Sequence, residues 1–325
     1  MDTCARRAAP ATAARWRCAA AGAAAAALLA GCGVPEPATD AGAAGAGGGY
    51  PLTVTTAHGD VTVEAAPERV VALGAPSADE VVSLGVDPVG VALDPATLEE
   101  SAPWLADRVA DTAEAGLVRA DGTPDIEAIA ALEPDLIVAE TYLLTEKRTF
   151  DRLNAIAPTV APDSTSVNVD WDVRLRSTAA ALDAADEAER LITDIETEFA
   201  DSGAGVPDGT TYQWVRADPA GFTFGNGSVF DLYGMEPAAN QDNTQSSDPL
   251  PRENTAELDA DFLAVWAPEG RAELEEDPLF RSLPAVEDGT VYFADADFAN
   301  AINSPAPIAL RWLREELTPT LGALS

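Results

Sequence analysis

A single histidine, His58, stands in 325 residues, against 55 aspartates and glutamates and three cysteines. A Ser-His-Asp or Cys-His nucleophile needs a histidine held in place by a third group, and His58 falls in Ala57-His58-Gly59-Asp60, which reads as a hairpin tip. No Gly-x-Ser-x-Gly, Walker A or Gly-x-Gly-x-x-Gly pattern occurs; Gly225-Asn226-Gly227-Ser228 lacks the spacing that would cradle a phosphate. Zinc or copper sites built from histidine and cysteine are excluded by count. Paired acids are plentiful, so the inventory leaves a carboxylate-dependent hydrolase open, although most of so many acids must be solvated surface. For binding, the second half of the chain offers Arg216, Phe224, Trp266 and Phe298, which fall on loops at or near apolar runs that read as strands.

Those residues need a scaffold, and the chain describes one twice. Glu127 lies eight residues before Asp135 and Leu132 three before it, and the apolar run 136–139 follows at once. Glu253, Leu258 and Asp261 repeat that spacing ahead of the run 262–265. Leu84-Gly85-Val86-Asp87-Pro88 is matched by Tyr233-Gly234-Met235-Glu236-Pro237. Between the copies lies a helix expected over 184–200, where Ala188, Leu191, Ile195 and Phe199 recur at helical spacing. Asp183 is expected to cap its start and Ser202-Gly203 to end it. The pattern predicts an α/β fold of two similar lobes.

In chain order, 52–56 and 61–64 alternate as a hairpin, and strands are expected at 67–74, 89–92, 135–140 and 159–161. Helices fall between them: 77–85 with Ser77 as N-cap, one beginning near Asp125, and 147–155. A helix over 171–182 leads into the central one. The second lobe is expected to have strands at 211–216, 262–266 and 290–294, with helices near 228–234, 253–258 and 277–283, and a last helix over 307–317. Strands alternating with helices imply mainly parallel sheets, and ligands of such folds bind beyond the carboxyl ends of the strands. The expected site is therefore a cleft between the lobes.

The formal charge is −36 and carries no long single-sign run, so the acidity is spread over the surface. Such a surface repels nucleic acid and anionic lipid. Arg6, Arg7, Arg15 and Arg17 precede an apolar stretch of only 12 residues, 19–30, too short to span a bilayer as a helix, which needs about 20. Leu28-Leu29-Ala30-Gly31-Cys32 then resembles the bacterial lipobox, in which the cysteine is acylated and becomes the first residue of the mature chain. Losing residues 1–31 removes four arginines and one aspartate, three net positive charges, and leaves −39. The expected organisation is a signal peptide at 1–31, a Gly/Ala-rich tether at 32–50, a first lobe at 51–170, a helical connector at 171–203 and a second lobe at 204–325.

Ala66–Gly74, Leu84–Gly90, Asp125–Val138, Ile156–Thr159, Ala285–Tyr292 and Ser304–Leu310 together resemble the periplasmic-binding family of ferric-siderophore and cobalamin ABC importers. The resemblance implies two α/β lobes joined by a single long rigid helix and a ligand cleft between them. It implies a lipid-anchored solute-binding protein on the extracytoplasmic face of the cell membrane, no enzyme, working as a monomer with an ABC importer permease. A glutamate on the outer surface of each lobe would dock onto the permease, here Glu127 and Glu253. Members that carry hydroxamate siderophores resemble this chain around Arg119 and Tyr142, which would reach the ligand. An arginine beside aromatics, as at Arg216, Phe224, Trp266 and Phe298, suits an iron chelate. The expected ligand is a ferric siderophore of hydroxamate type, with cobalamin or haem as alternatives. Iron would be bound only as part of that ligand, and no cofactor is expected.

Overall fold

In β1 (Leu52–Thr56) and β2 (Gly59–Val63), threonines alternate with Val54, Val61 and Val63, and the valines are buried. This hairpin opens the first lobe in the computed structural model, which describes residues 49–166 and 168–324. The expected signal segment, Cys32 and nearly all of the tether lie outside those residues. Beyond the hairpin, β3 (Val70–Leu73) and β5 (Leu136–Ala139) are buried at every position, as strands covered on both faces must be. They form a parallel sheet with β4 (Gly90–Val91) and β6 (Thr159–Val160), in the order β4-β3-β5-β6. Around it lie α1 (Ala75–Ser83), the short α2 (Leu98–Ser101) and α3 (Ala106–Val109), α4 (Ile126–Ala131) and α5 (Lys147–Asn154).

The first helix corrects an expectation. It begins at Ala75 after Gly74, whose φ of 132° suits glycine, and Ser77 lies inside it rather than capping it. The Ser77 hydroxyl donates instead to Glu140 Oε1 at 2.5 Å.

Two helices make the crossing: α6 (Trp171–Ala181) and α7 (Ala185–Ser202). α6 packs on α1, β1 and β6, whereas α7 packs on α6 and on elements of the second lobe. The three residues between them include Asp183, which takes a φ of 55° in the turn; α7 is preceded by Ala184 and has no side-chain cap. Asp186 and Glu187 in its first turn still face the positive end of the helix dipole. At 18 residues α7 is about 27 Å long.

The second lobe carries β7 (Thr211–Asp218), β8 (Gly221–Phe224), β9 (Glu236–Pro237), β10 (Leu250–Pro251), β11 (Phe262–Trp266) and β12 (Val291–Ala294). The order is β10-β8-β7-β11-β12, with β9 beside the start of β7. β9, β7, β11 and β12 are parallel; β8 and β10 are antiparallel additions. The sequence pattern supplied only β7, β11 and β12. The other three span two to four residues and hold Gly221, Pro237 and Pro251, so they read as turns. The segments expected as helices near 228–234 and 253–258 are 3-10 turns, Ser228–Tyr233 and Arg252–Glu257. The remaining helices are α8 (Arg271–Glu276), α9 (Pro278–Arg281), α10 (Pro284–Asp288), α11 (Ala296–Asn303) and α12 (Pro307–Leu321).

One apolar cluster joins the crossing to the second lobe: Leu175 of α6, Ile195 and Phe199 of α7, Ile302 of α11 and Leu313 of α12 pack around Trp214 and Phe262. Each such side chain contributes about 1.5–3 kcal/mol when fully buried, so α7 is fixed by its packing rather than by caps. Among the described residues no helix is long and apolar enough to cross a membrane.

Candidate ligand cleft

The helix after β12 reaches the helix after β4: Asn300 of α11 donates from Nδ2 to the Ser101 carbonyl at the end of α2, 3.2 Å away. Trp104 and Trp312 add a ring contact between the lobes at 5.4 Å. The carboxyl ends of both sheets therefore face one another, the place where open α/β folds bind ligands.

On the first lobe, β5 runs out through Glu140 into a 3-10 turn, Thr141–Leu144. The Tyr142 ring is half exposed, while its hydroxyl turns inward over Gly74: a Cβ at Gly74 would lie 3.6 Å from that oxygen and 3.1 Å from Glu140 Cγ. Burial of the hydroxyl, with the Glu140 carboxylate adding to it, pushes the Tyr142 pKa up to about 12. At neutral pH this phenol is neutral and serves as a hydrogen-bonding group.

On the second lobe, Arg216 and Trp266 are paired in register on the parallel strands β7 and β11, so their side chains share a face. The guanidinium lies 5.2 Å from the Trp266 ring centre, within cation–π range. Arg216 is exposed and has no carboxylate within ion-pair distance among the described residues. His58 meets the turn that carries Tyr142, its Nε2 2.6 Å from the Leu144 carbonyl and its ring 4.8 Å from Phe150. It lines a cavity of about 100 Å³ with Thr141, Thr145 and Ser164, well below the several hundred Å³ of a typical ligand pocket.

Residues 70–298 match the model of a family described as periplasmic binding protein. The chain belongs to that family. Over 250 residues it is 30% identical to the Fe(3+)-citrate-binding protein YfmC of Bacillus subtilis, covering 74% of this chain and 76% of the relative. A periplasmic solute binding protein from Mycobacterium smegmatis superposes with a TM-score of 0.69 at 25% identity, over 84% of this chain and 98% of that one. PiaA of Streptococcus pneumoniae, solved with ferrichrome, superposes with a TM-score of 0.69 over 83% of this chain and 97% of that one; at 21% identity it shows the fold alone.

As a periplasmic binding protein the chain carries a solute and is no enzyme, which sets the hydrolase aside. Of the residues expected at its cleft, Tyr142, Arg216 and Trp266 stand at strand ends with exposed surface. Phe224 and Phe298 do not. Phe224 is buried with Val215 and Leu263, and Phe298 is 1% exposed, its ring 4.6 Å from Tyr292 and 5.8 Å from Trp214. Both rings fill the core because the sheet and α11 close over them. Arg119 is exposed but engaged, its Nη2 2.9 Å from Asp125 Oδ2. Asp125 caps α4 by accepting from the Glu127 and Ala128 backbone N–H groups, and these bonds with Arg119 hold its carboxyl below the usual range. Glu127 and Glu253 are exposed near the starts of the matched segments that lead into β5 and β11.

A group of residues escaped the sequence reading. Arg174 of α6 is buried with its Nε 3.4 Å from Glu80 Oε1 and its Nη1 3.6 Å from Glu140 Oε2, and it also donates to the Pro305 carbonyl. Asp79 accepts from the backbone N–H groups of Ile308 and Ala309, 2.8 Å each, in the first turn of α12. The signal was present: Asp79 and Glu80 interrupt an apolar helix, and Glu140 follows directly on a buried strand.

Proposed function

We propose that this periplasmic binding protein captures a ferric chelate in the cleft between its lobes and delivers it to the permease of an ABC importer. The observation that carries the reading is Arg216, a cation without a carboxylate partner among the described residues, lying against Trp266 near the strand ends of one lobe, while the other lobe offers the Tyr142 phenol. A guanidinium donates to the anionic oxygens wrapped around iron, and the rings cover the chelate's apolar rim. Iron would arrive already chelated, with no cofactor held by the protein. A hydroxamate siderophore is favoured: at the expected cleft Arg119 is engaged by Asp125 and, among the described residues, only Arg216 is left without a carboxylate partner, so on a chain of charge −36 a multiply anionic catecholate is undercompensated. Ferric citrate is the second reading, supported by the name of YfmC. Leu28–Cys32 supports a lipid anchor at the extracytoplasmic face of the cell membrane, and Glu127 and Glu253 would meet permease arginines as charge-assisted pairs.

Tryptophan fluorescence quenching by ferrichrome, ferric citrate and a ferric catecholate, at low and physiological salt, tests the reading. Ferrichrome should bind tightest, and Arg216→Ala should weaken it about tenfold, the loss of one charge-assisted contact. Charge reversal at Glu127 and Glu253 should leave that titration unchanged and abolish cellular uptake. A catecholate that binds tightest at both salts would sink the hydroxamate assignment; no quenching by any chelate would sink the function.

A further inference from the structure

Where the two lobes meet behind the cleft, three buried carboxylates share one guanidinium. Asp79, Glu80, Glu140 and Arg174 are each no more than 6% exposed. Asp79 and Glu80 come from α1, Glu140 from the end of β5, and Arg174 from α6. Two contacts tie them to the second lobe: Asp79 on the first turn of α12, and Arg174 on the Pro305 carbonyl just before it. Hydroxyl donors complete the group, with Ser77 on Glu140, Ser83 on Asp79 at 3.1 Å and Thr178 on Glu80 at 2.7 Å. Glu80 Oε1 and Arg174 Nε are buried, 3.4 Å apart, with no hydrogen-bond partner among the described residues.

The charges do not balance. Arg174 supplies one positive charge and the α12 N-terminus about half of one, against three carboxylates if all ionise. Among the described residues no other cation is paired with these carboxylates. Arg311 and Arg314 of α12 turn to Glu198 of α7, and Arg176 of α6 turns to Asp172 and Glu189. Tyr142, beside Glu140, is a neutral phenol.

We propose that this cluster is a proton-held latch between the lobes. With one proton retained on Glu80, Arg174 neutralises Glu140, Asp79 remains an anion on α12, and the lobes stay clamped. Loss of that proton places a second uncompensated anion beside Glu140 and Asp79, and the contacts to Pro305, Ile308 and Ala309 loosen. Burial, with Glu140 and Asp79 adding to it against Arg174 and Thr178, raises the Glu80 pKa to about 8. Burial also raises Asp79 to about 6, opposed by its N–H donors, Ser83 and Arg174. From the ordinary carboxylate range up to about pH 8, the folded chain keeps a proton that the unfolded chain has released. Junction stability therefore falls as pH rises through that window. Because Glu140 opens the turn that carries Tyr142, the latch also sets the floor of the cleft.

The test is amide hydrogen exchange of Ile308 and Ala309 in the full chain between pH 6 and pH 9, corrected for intrinsic rates and followed alongside the melting temperature. Protection of these two amides should drop by up to about tenfold for each pH unit from pH 6 up to the transition near pH 8, the slope of one proton, and level off above it, while the β11 amides stay protected. In Glu80→Gln the drop should vanish. Should that variant not fold, Glu140→Gln replaces it: removing the competing anion should move the transition down by at least one pH unit. Flat protection in the wild type overturns the latch, as does an unmoved transition in the variant that folds.

Discussion

Asp135 in the first lobe and Asp261 in the second open equivalent strands, and each carboxylate holds the start of the strand beside it. Asp135 accepts from the backbone N–H groups of Glu68 and Arg69, 2.8 Å each, just ahead of β3. Asp261 accepts from the Thr211 N–H and hydroxyl, both 2.8 Å, at the start of β7. The sheets then run in the same order, β4-β3-β5-β6 against β9-β7-β11-β12, all parallel. The difference lies above that shared plan. In the second lobe β7 runs eight residues and exchanges neighbours halfway, from β9 at Thr211 and Tyr212 to β8 at Val215–Asp218. The junction is sealed by side chains: Gln241 Oε1 accepts from the Trp214 N–H, and Asn303 Oδ1 accepts from Trp214 Nε1 and the Asn226 N–H. A repeated helix–turn–strand unit thus builds both lobes, and an antiparallel insert with an amide network backs the strand that carries Arg216.

Breaking the insert should produce the largest effect. At Gly221 an added Cβ would lie 2.1 Å from the Leu250 carbonyl oxygen of β10, a backbone atom that no rotamer can move. Gly221→Ala should therefore cost about 3 kcal/mol, on the order of 8 °C in melting temperature. In the shared parallel sheet of the first lobe the comparison is Gly90, where a Cβ would lie 2.4 Å from Leu132 Cδ1, the far end of a half-buried side chain. Gly90→Ala should cost about 1 kcal/mol as Leu132 rotates away. Equal melting temperatures for the two variants would mean that the insert is no more rigid than the shared sheet.

A smaller difference should separate the two aspartates. Asp135→Ala leaves two backbone donors without their acceptor. Asp261→Ala leaves one, the Thr211 N–H, because the other donor is the Thr211 hydroxyl, which can turn to water while it still accepts from the residue-261 N–H at 3.1 Å. Both sites are exposed, so water replaces part of each bond. The expected costs are about 1.5 kcal/mol and about 0.7 kcal/mol by urea unfolding, near the net value per hydrogen bond. The reverse order would show that the matched spacing does not reflect a matched role.

What the sequence made legible was short-range. An aspartate before a strand and a glycine after a helix are demanded by the local backbone, so they recur at fixed spacing and reveal two lobes. Ser77 shows where that reasoning stops: its capping pattern is sound locally, yet its hydroxyl belongs to Glu140, 63 residues away. Thr178 meets Glu80 across 98 residues and Asp79 meets Ile308 across 229, so no spacing rule reaches the buried cluster. Arg216 and Trp266 were legible as neighbours near strand ends because apolar runs mark where strands stop. Phe224 and Phe298 misled because a loop position beside a strand does not say whether a ring faces solvent or the sheet.

The smallest effect is the sharpest test of the repeat. Gly85 and Gly234 follow α1 and the Ser228–Tyr233 turn with φ of 83° and 81°, left-handed values that favour glycine. Each forms the same pair of closing bonds. Gly85 N–H donates to Val82 O at 3.0 Å and Val86 N–H to Val81 O at 3.1 Å; Gly234 N–H donates to Asp231 O at 3.0 Å and Met235 N–H to Phe230 O at 3.4 Å. An added Cβ would meet nothing within 4 Å at either site, so packing drops out and only backbone strain remains. Gly85→Ala and Gly234→Ala should each cost about 1 kcal/mol, about 2–3 °C in melting temperature. The values should agree within about 0.5 kcal/mol, even though one turn follows an α-helix and the other is a 3-10 turn. Ligand titrations of both variants should match the wild type, since neither glycine lies at a strand's carboxyl end. A cost confined to one site would mean that the two lobes share a sequence pattern without sharing the turn that gives it a physical cause.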